Sequence, residues 1–258
     1  MKIEKYVIGS DNAGNLSCWY GKSGVGKTAT LLQTCIDPIG YLMFEGRGLD
    51  STLKAINRPN LRLKVFKYEG WDDLLEIMFD TSNFSGLKSI IGDSMTHLMN
   101  ILLPDEILQE NFDARDKKGK ETEKDLTTRV KGTPEMYGAL SRQMSRLMNA
   151  SQQLCLSGCD VHWTARDQDN PKWNLELSCG PALSGKEFPR DMKGFFDFIG
   201  MVESRVDENR QIIYPPVVSC DDNGAYLSKW TGIKPPGGVI RKPFNIQKMF
   251  AIAHGRTE

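Results

Sequence analysis

Gly21-Lys22-Ser23-Gly24-Val25-Gly26-Lys27-Thr28 is the stretch on which the reading of this chain turns. Glycine, four residues, then Gly-Lys-Thr is the spacing of a loop that wraps phosphate groups. The glycines let the backbone curl so that successive N–H groups point inward. Lys27 sets a cation over the same oxygens, and the Thr28 hydroxyl is a ligand for Mg²⁺. Leu16 to Tyr20 reads as the strand before the loop. Ala29 to Cys35 reads as the helix after it, whose positive N-terminal end adds to the anion site. The expected ligands are a nucleoside triphosphate, ATP, and Mg²⁺, with Gly21, Lys22, Ser23, Gly24, Val25, Gly26, Lys27 and Thr28 as the cradle.

The chain of 258 residues is 40% hydrophobic, enough for one large domain, and residues 1–258 are expected to form it. No run of eighteen apolar residues occurs, so no membrane span is expected. Met1-Lys2-Ile3-Glu4-Lys5 lacks the apolar stretch of a secretory signal. Six cysteines without such a signal point to reduced thiols and a cytoplasmic setting. Lys plus Arg equals Asp plus Glu at 33 each, so the net charge is zero and a general nucleic-acid coat is disfavoured.

Short apolar runs alternate with helical patterns through the first half, the signature of a mainly parallel twisted sheet flanked by helices. Ile39 to Phe44, Leu61 to Tyr68 and Leu87 to Ile91 read as strands, and Trp71 to Phe79 as a helix. Asp113 to Lys131 carries twelve charged residues in nineteen and reads as a mobile loop, about 105–133 overall. A long helix begins at Pro134, with Tyr137, Leu140, Met144, Leu147, Met148 and Leu154 on one apolar face. Asp160 to Thr164 reads as a strand, and Phe195 to Val206 with Gln211 to Val218 as a C-terminal β-hairpin. A tail, about 232–258, ends in a helix from Asn245 to His254.

Ser89-Ile90-Ile91-Gly92-Asp93 supplies the partner carboxylate: apolar residues ending in Asp93, which is expected to hold Mg²⁺ with Thr28. Gly92, where an aliphatic residue is usual, is expected to loosen the packing. Glu45 ends the strand Tyr41-Leu42-Met43-Phe44, which the simplest parallel order sets adjacent to the loop strand, and is expected there to orient or deprotonate the attacking water. Lys27 and Glu45 are the catalytic candidates. Cys155, Cys159 and His162 do not have a structural-zinc spacing, and their segment passes from helix to strand, so no zinc site is expected.

The order of these parts resembles the RecA-like P-loop ATPase core: the loop, then Phe44-Glu45-Gly46, then Ile91-Gly92-Asp93-Ser94, then Trp163-Thr164-Ala165-Arg166. It is most similar to the phage-encoded Sak-type single-strand annealing ATPases, in which a motif like Pro181-Ala182-Leu183-Ser184-Gly185-Lys186 leads into a segment like Gly194-Phe195-Phe196-Asp197-Phe198-Ile199. The resemblance spans about Cys18 to Trp230. It implies that Thr164 and Arg166 sense the γ-phosphate, and that the protein self-associates into a ring or filament on single-stranded DNA, with a single-strand binding protein as a further partner. DNA contact falls to segment 113–131 and to Asp167 to Gly180. In the second, Trp173 could stack on a base, with Lys172, Lys186, Arg190 and Lys193 as nearby cations for phosphates. Where the family sends paired basic residues into the neighbouring subunit, this chain has Lys229-Trp230-Thr231.

Two other functions fit the loop. A small-molecule or nucleotide kinase needs an arginine-rich lid, and 113–131 has Arg115 and Arg129 among its acids. A helicase loader leaves little trace in one sequence. A guanine switch is disfavoured, because no Asn-Lys-x-Asp segment is present.

Overall fold

The computed structural model describes residues 13–46, 48–107, 134–209, 212–221, 224–234 and 241–256. The charged stretch 113–131 lies outside them. The loop strand is β1 (Leu16–Tyr20), followed by α1 (Lys27–Thr34), β2 (Ile39–Met43), α2 (Leu49–Ala55), β3 (Leu63–Lys67), α3 (Trp71–Phe79) and β4 (Ser89–Asp93). Then come the helical turn α4 (Met95–His97), α5 (Pro134–Leu156), β5 (Asp160–Ala165), β6 (Asp167–Asp169), β7 (Cys179–Pro181) and α6 (Glu187–Phe195). The chain ends with β8 (Phe198–Val206), β9 (Ile212–Ser219), β10 (Lys229–Trp230), β11 (Arg241–Pro243) and α7 (Ile246–Ala253).

The fold is α/β, with a mostly parallel mixed sheet flanked by helices. Its order is β11-β9-β8-β1-β5-β4-β2-β3, with β10 also on β8. Every neighbouring pair from β3 to β8 is parallel. The hairpin of β8 and β9 is continuous with this sheet, because β8 lies parallel to β1 on the side away from β5. One expectation is corrected by the order: β2 is not beside the loop strand, since β5 and β4 stand between them.

Alternation along each strand feeds two cores. Leu16, Cys18 and Tyr20 of β1, with Val161, Trp163 and Ala165 of β5, face α3, α5 and α6. Trp19, Tyr41, Ile91 and Val218 face α1 and α7. The long helix buries Leu140, Met144, Leu147, Met148 and Leu154 as its period requires, but Tyr137 in its first turn is 41% exposed. The terminal helix runs from Ile246 to Ala253, and Asn245, the first residue of the expected range, caps it: its side chain accepts from the Lys248 N–H at 3.1 Å.

Gly92 does not loosen the packing. It pairs with Trp163 across β4 and β5, and a Cβ on Gly92 would lie 2.5 Å from Trp163 Cε3. The indole occupies that space, stacks on Phe44 at 5.8 Å and donates to Ser151 Oγ at 3.2 Å. On the other face His162 is fully buried, with Nδ1 2.6 Å from Ser17 Oγ and its ring stacked on Phe250. Cys159 Sγ instead donates to the Leu87 carbonyl at 3.2 Å.

Two stability predictions follow from these contacts. Gly92→Ala is expected to cost about 1–3 kcal/mol in urea unfolding, because the methyl meets a packed indole. In a Trp163→Leu background the same change is expected to cost under about 0.5 kcal/mol; equal losses in both backgrounds would contradict the packing argument. Burial pushes the His162 imidazole from 6.5 down to about 4, against the pull of Asp160. The unfolded chain takes up this proton below pH 6.5 and the folded chain only below about 4. Stability is therefore full above pH 6.5 and declines as the pH falls through that window. At pH 4.5, relative to pH 7, His162→Gln is expected to lose about 2 kcal/mol less than the wild type. Parallel pH profiles would show that His162 is not the group responsible.

Candidate functional site

At the C-terminal ends of the parallel strands, where open α/β sheets bind ligands, lies a cleft of about 460 Å³. Its lining includes Gly24, Gly26, Lys27, Thr28, Glu45, Asp93, Thr164 and Arg166. A larger cleft, about 1240 Å³, lies at the opposite end of the sheet beside Gly14, Lys88 and Asp160. There the Asp160 carboxylate already accepts from the Asn15 backbone and side-chain nitrogens. The C-terminal cleft is the one that gathers the sequence candidates.

The glycine-rich loop turns on two left-handed residues, Gly24 at φ 78° and Gly26 at φ 95°, a region that side-chain-bearing residues rarely enter. Gly21 is needed for a different reason: a Cβ there would lie 2.2 Å from the Val202 carbonyl oxygen of β8. Gly26 caps α1, and Lys27 begins it. The Lys27 ammonium donates to the carbonyls of Gly21 at 2.7 Å and Lys22 at 2.9 Å. Burial lowers it from 10.5 to about 8, while Asp93 and Asp167 pull the other way and Arg166 adds to the lowering. Below pH 8 it is mainly cationic.

Asp93 is the hub. Its Oδ2 accepts from Thr28 Oγ1 at 2.8 Å and from the Tyr41 hydroxyl at 2.6 Å; its Oδ1 accepts from Thr164 Oγ1 at 2.5 Å. The register explains the meeting. Tyr41 pairs with Ile91 and Met43 with Asp93, while Gly92 pairs with Trp163, one step before Asp93 and Thr164. Alternation then turns Tyr41, Asp93 and Thr164 to the α1 side. Burial, then the charge and hydrogen bond of Asp93, raise the Tyr41 phenol far above its ordinary value, so it acts as a donor.

Glu45 sits at the rim. Its Oε1 accepts from Ser94 Oγ at 2.9 Å and from Arg166 Nη2 at 3.4 Å. Although β2 is not adjacent to β1, the carboxylate reaches the cleft because Phe44 continues the ladder, its N–H donating to the Asp93 carbonyl at 3.0 Å. Arg166 is fixed at its backbone: its N–H donates to Thr96 Oγ1 at 2.9 Å, and its carbonyl accepts from Ala182 N–H at 2.8 Å. The Asp93–Ser94 peptide is cis.

The residues expected at a nucleic acid are not brought together in the expected way. Asp167 to Gly180 is not an open polar loop: β6 and β7 pair antiparallel at its ends. Trp173 is 3% exposed and its indole lies on Gly180, where a Cβ would be 2.8 Å from Cζ2. Its ring is not presented for base stacking. Arg190 Nε donates to the Trp173 carbonyl at 3.0 Å. Lys172 and Lys186 are exposed on the wall of a separate cleft of about 660 Å³ that includes Tyr137 and Leu183. Lys193 is half-buried, and its carbonyl accepts from Lys229 Nζ at 2.7 Å. Lys229 is thus engaged within the chain.

Tyr41 was not visible as a site residue, because a tyrosine inside Ile39 to Phe44 reads as strand packing. Only the register that sets it toward Asp93 reveals it. Compared with known proteins, the chain matches no family model and no curated protein.

Tyr41→Phe keeps the ring and removes one donor from a carboxylate. It is expected to cost about 1.5–3 kcal/mol in denaturant unfolding. In an Asp93→Ala background the loss should fall below about 0.5 kcal/mol. A loss of equal size in both backgrounds would place the effect elsewhere than at the Tyr41–Asp93 bond.

Proposed function

We propose that the chain is a RecA-like P-loop ATPase that binds and hydrolyses ATP and acts on single-stranded DNA in recombination or annealing. The observation that carries the reading is the gathering of Lys27, Thr28, Asp93, Glu45, Thr164 and Arg166 around one cleft. These residues come from the loop and from the ends of β2, β4 and β5.

The donor set suits a hard divalent cation. Thr28 Oγ1 and Asp93 Oδ2 are oxygen donors 2.8 Å apart, and Mg²⁺ prefers one or two such protein oxygens together with water and phosphate. Thr28 and Asp93 are the residues to hold it, and when bound it neutralises charge on the phosphate oxygens. The loop N–H groups and the start of α1 supply the anion cradle. Lys27 is within the same wall, cationic at neutral pH, and exchanges its carbonyl partners for phosphate oxygens. Glu45 orients the attacking water and accepts its proton, held in place by Ser94. Arg166 is the cation that meets the terminal phosphate, and its contact with Glu45 links that phosphate to the base.

DNA action rests on the resemblance together with the exposed Lys172, within the hairpin that follows Arg166 directly, and the exposed Lys186 just after it. Self-association on DNA belongs to the same reading.

Steady-state ATP hydrolysis with and without single-stranded DNA tests it. Single-stranded DNA is expected to raise turnover. Lys27→Ala is expected to abolish nucleotide binding. Glu45→Gln should lower kcat by about 10²- to 10⁴-fold while nucleotide still binds. Turnover indifferent to DNA, with Lys27 still required, would move the function to a helicase loader. Transfer of phosphate to a small acceptor would move it to a kinase.

A further inference from the structure

Beside the loop stands an aromatic side chain that neither the metal nor the base chemistry uses. Tyr214 of β9 is 60% exposed and lines the same cleft as Lys27, Thr28 and Asp93. Its ring edge lies against the turn that starts α1: a Cβ on Gly26 would be 2.9 Å from Tyr214 Cε1 and 3.7 Å from Cδ1. A single exposed tyrosine is ordinary on a protein surface. Its placement here is not accidental to the strand, however.

The β8–β9 ladder breaks at this point. Glu203 pairs with Val217 and Arg205 with Ile213, so Tyr214-Pro215-Pro216 face Ser204 alone. The prolines cannot donate to a ladder, and bulges are where a sheet tolerates them. A bulge bends its strand and re-aims a side chain. The bulge is fixed from outside as well: the Pro216 carbonyl accepts from Phe244 N–H at 2.8 Å, and Pro216 Cδ is 3.9 Å from the Gly26 Cβ position. The cleft's other aromatic residue among the described lining, Tyr41, is buried with its hydroxyl on Asp93. Tyr214 is therefore the ring that offers a free face at the mouth of the loop.

We propose that Tyr214 is the platform on which the nucleobase of the bound nucleoside triphosphate stacks. This rests on the nucleotide reading above and adds a subsite to it. The phosphates lie in the loop, and the base extends past Gly26 onto the ring. Stacking on an aromatic side chain is worth about 1–3 kcal/mol per base and tolerates any base. The subsite accordingly favours a nucleotide over bare polyphosphate, and the larger face of a purine over a pyrimidine.

Titration calorimetry with ATP and, separately, with inorganic tripolyphosphate, both with Mg²⁺, separates this role from a structural one. Tyr214→Ala is expected to weaken ATP by about 5- to 150-fold and to leave tripolyphosphate unchanged. Tyr214→Phe, which keeps the ring, should bind ATP as the wild type does. If Tyr214→Ala weakens both ligands equally, the residue shapes the loop and holds no base. If it weakens neither, the base lies elsewhere. Either result overturns the proposal while the nucleotide reading stands. Binding of neither ligand to the wild type overturns that reading, and the subsite with it.

Discussion

The Asp93 carboxylate, with three hydroxyls on its two oxygens, is the contact on which the rest of the cleft depends. The donors come from three elements: Thr28 from α1, Tyr41 from β2 and Thr164 from β5. A partly buried carboxylate must be hydrogen-bonded to be tolerated, so each element is held at the distance its hydroxyl requires. Apart from Thr28, Tyr41 on Oδ2 and Thr164 on Oδ1 hold both carboxylate oxygens, so two strands alone keep Asp93 aimed. The phenol of Tyr41 cannot take over as a base, since burial and the neighbouring charge hold its proton.

That geometry requires β2, β4 and β5 to keep one register, because a slip of a single residue would turn Asp93 to the other face. Glycine–tryptophan pairs pin it. Gly92 on β4 receives the Trp163 ring of β5, and Gly200 on β8 leaves room for Trp19 of β1, whose Cζ3 would be 2.8 Å from a Cβ there. The two rings lie in opposite cores, so both faces of the sheet are locked beside the loop strand. The glycine one residue before the acid, which the sequence alone makes look like a weakness, is what admits the ring that fixes the acid.

Much of this was legible from local chemistry. The loop spacing, the apolar run into Asp93, the terminal helix after Asn245 and, beyond Tyr137, the period of the long helix each depend on residues close in sequence, and each appears where expected. What stayed hidden depends on distant partners. The strand order is not legible, because parallel strands carry no turn to say which neighbours which, and the simplest order, β2 beside β1, is not the one found. Helix α6 was not foreseen because Pro189 interrupts its pattern, although a proline in the first helical turn is tolerated. Trp173 looked like an exposed stacking ring in a polar loop, and only Gly180, opposite it on the hairpin, shows that it is a plug. The two aromatic residues of the cleft, Tyr41 and Tyr214, come from strands whose composition speaks only of packing.

The contacts of Arg166 decide how a change at Glu45 could travel. The ion pair between them is 3.4 Å long, with the side chains 52% and 35% exposed. Such a pair is worth about 0–1 kcal/mol. The Arg166 backbone is different: it is bound to Thr96 on one side and to Ala182 on the other. Each of those bonds contributes about 0.5–1.5 kcal/mol, and leaving a buried partner unmade costs more. An anion in the cleft can therefore draw the guanidinium off Glu45 long before it moves the backbone. The first response to such a ligand is a side-chain swing that changes what Glu45 faces. A shift of the β6–β7 hairpin, and of the buried Trp173 within it, requires the Thr96 and Ala182 bonds to rearrange as well.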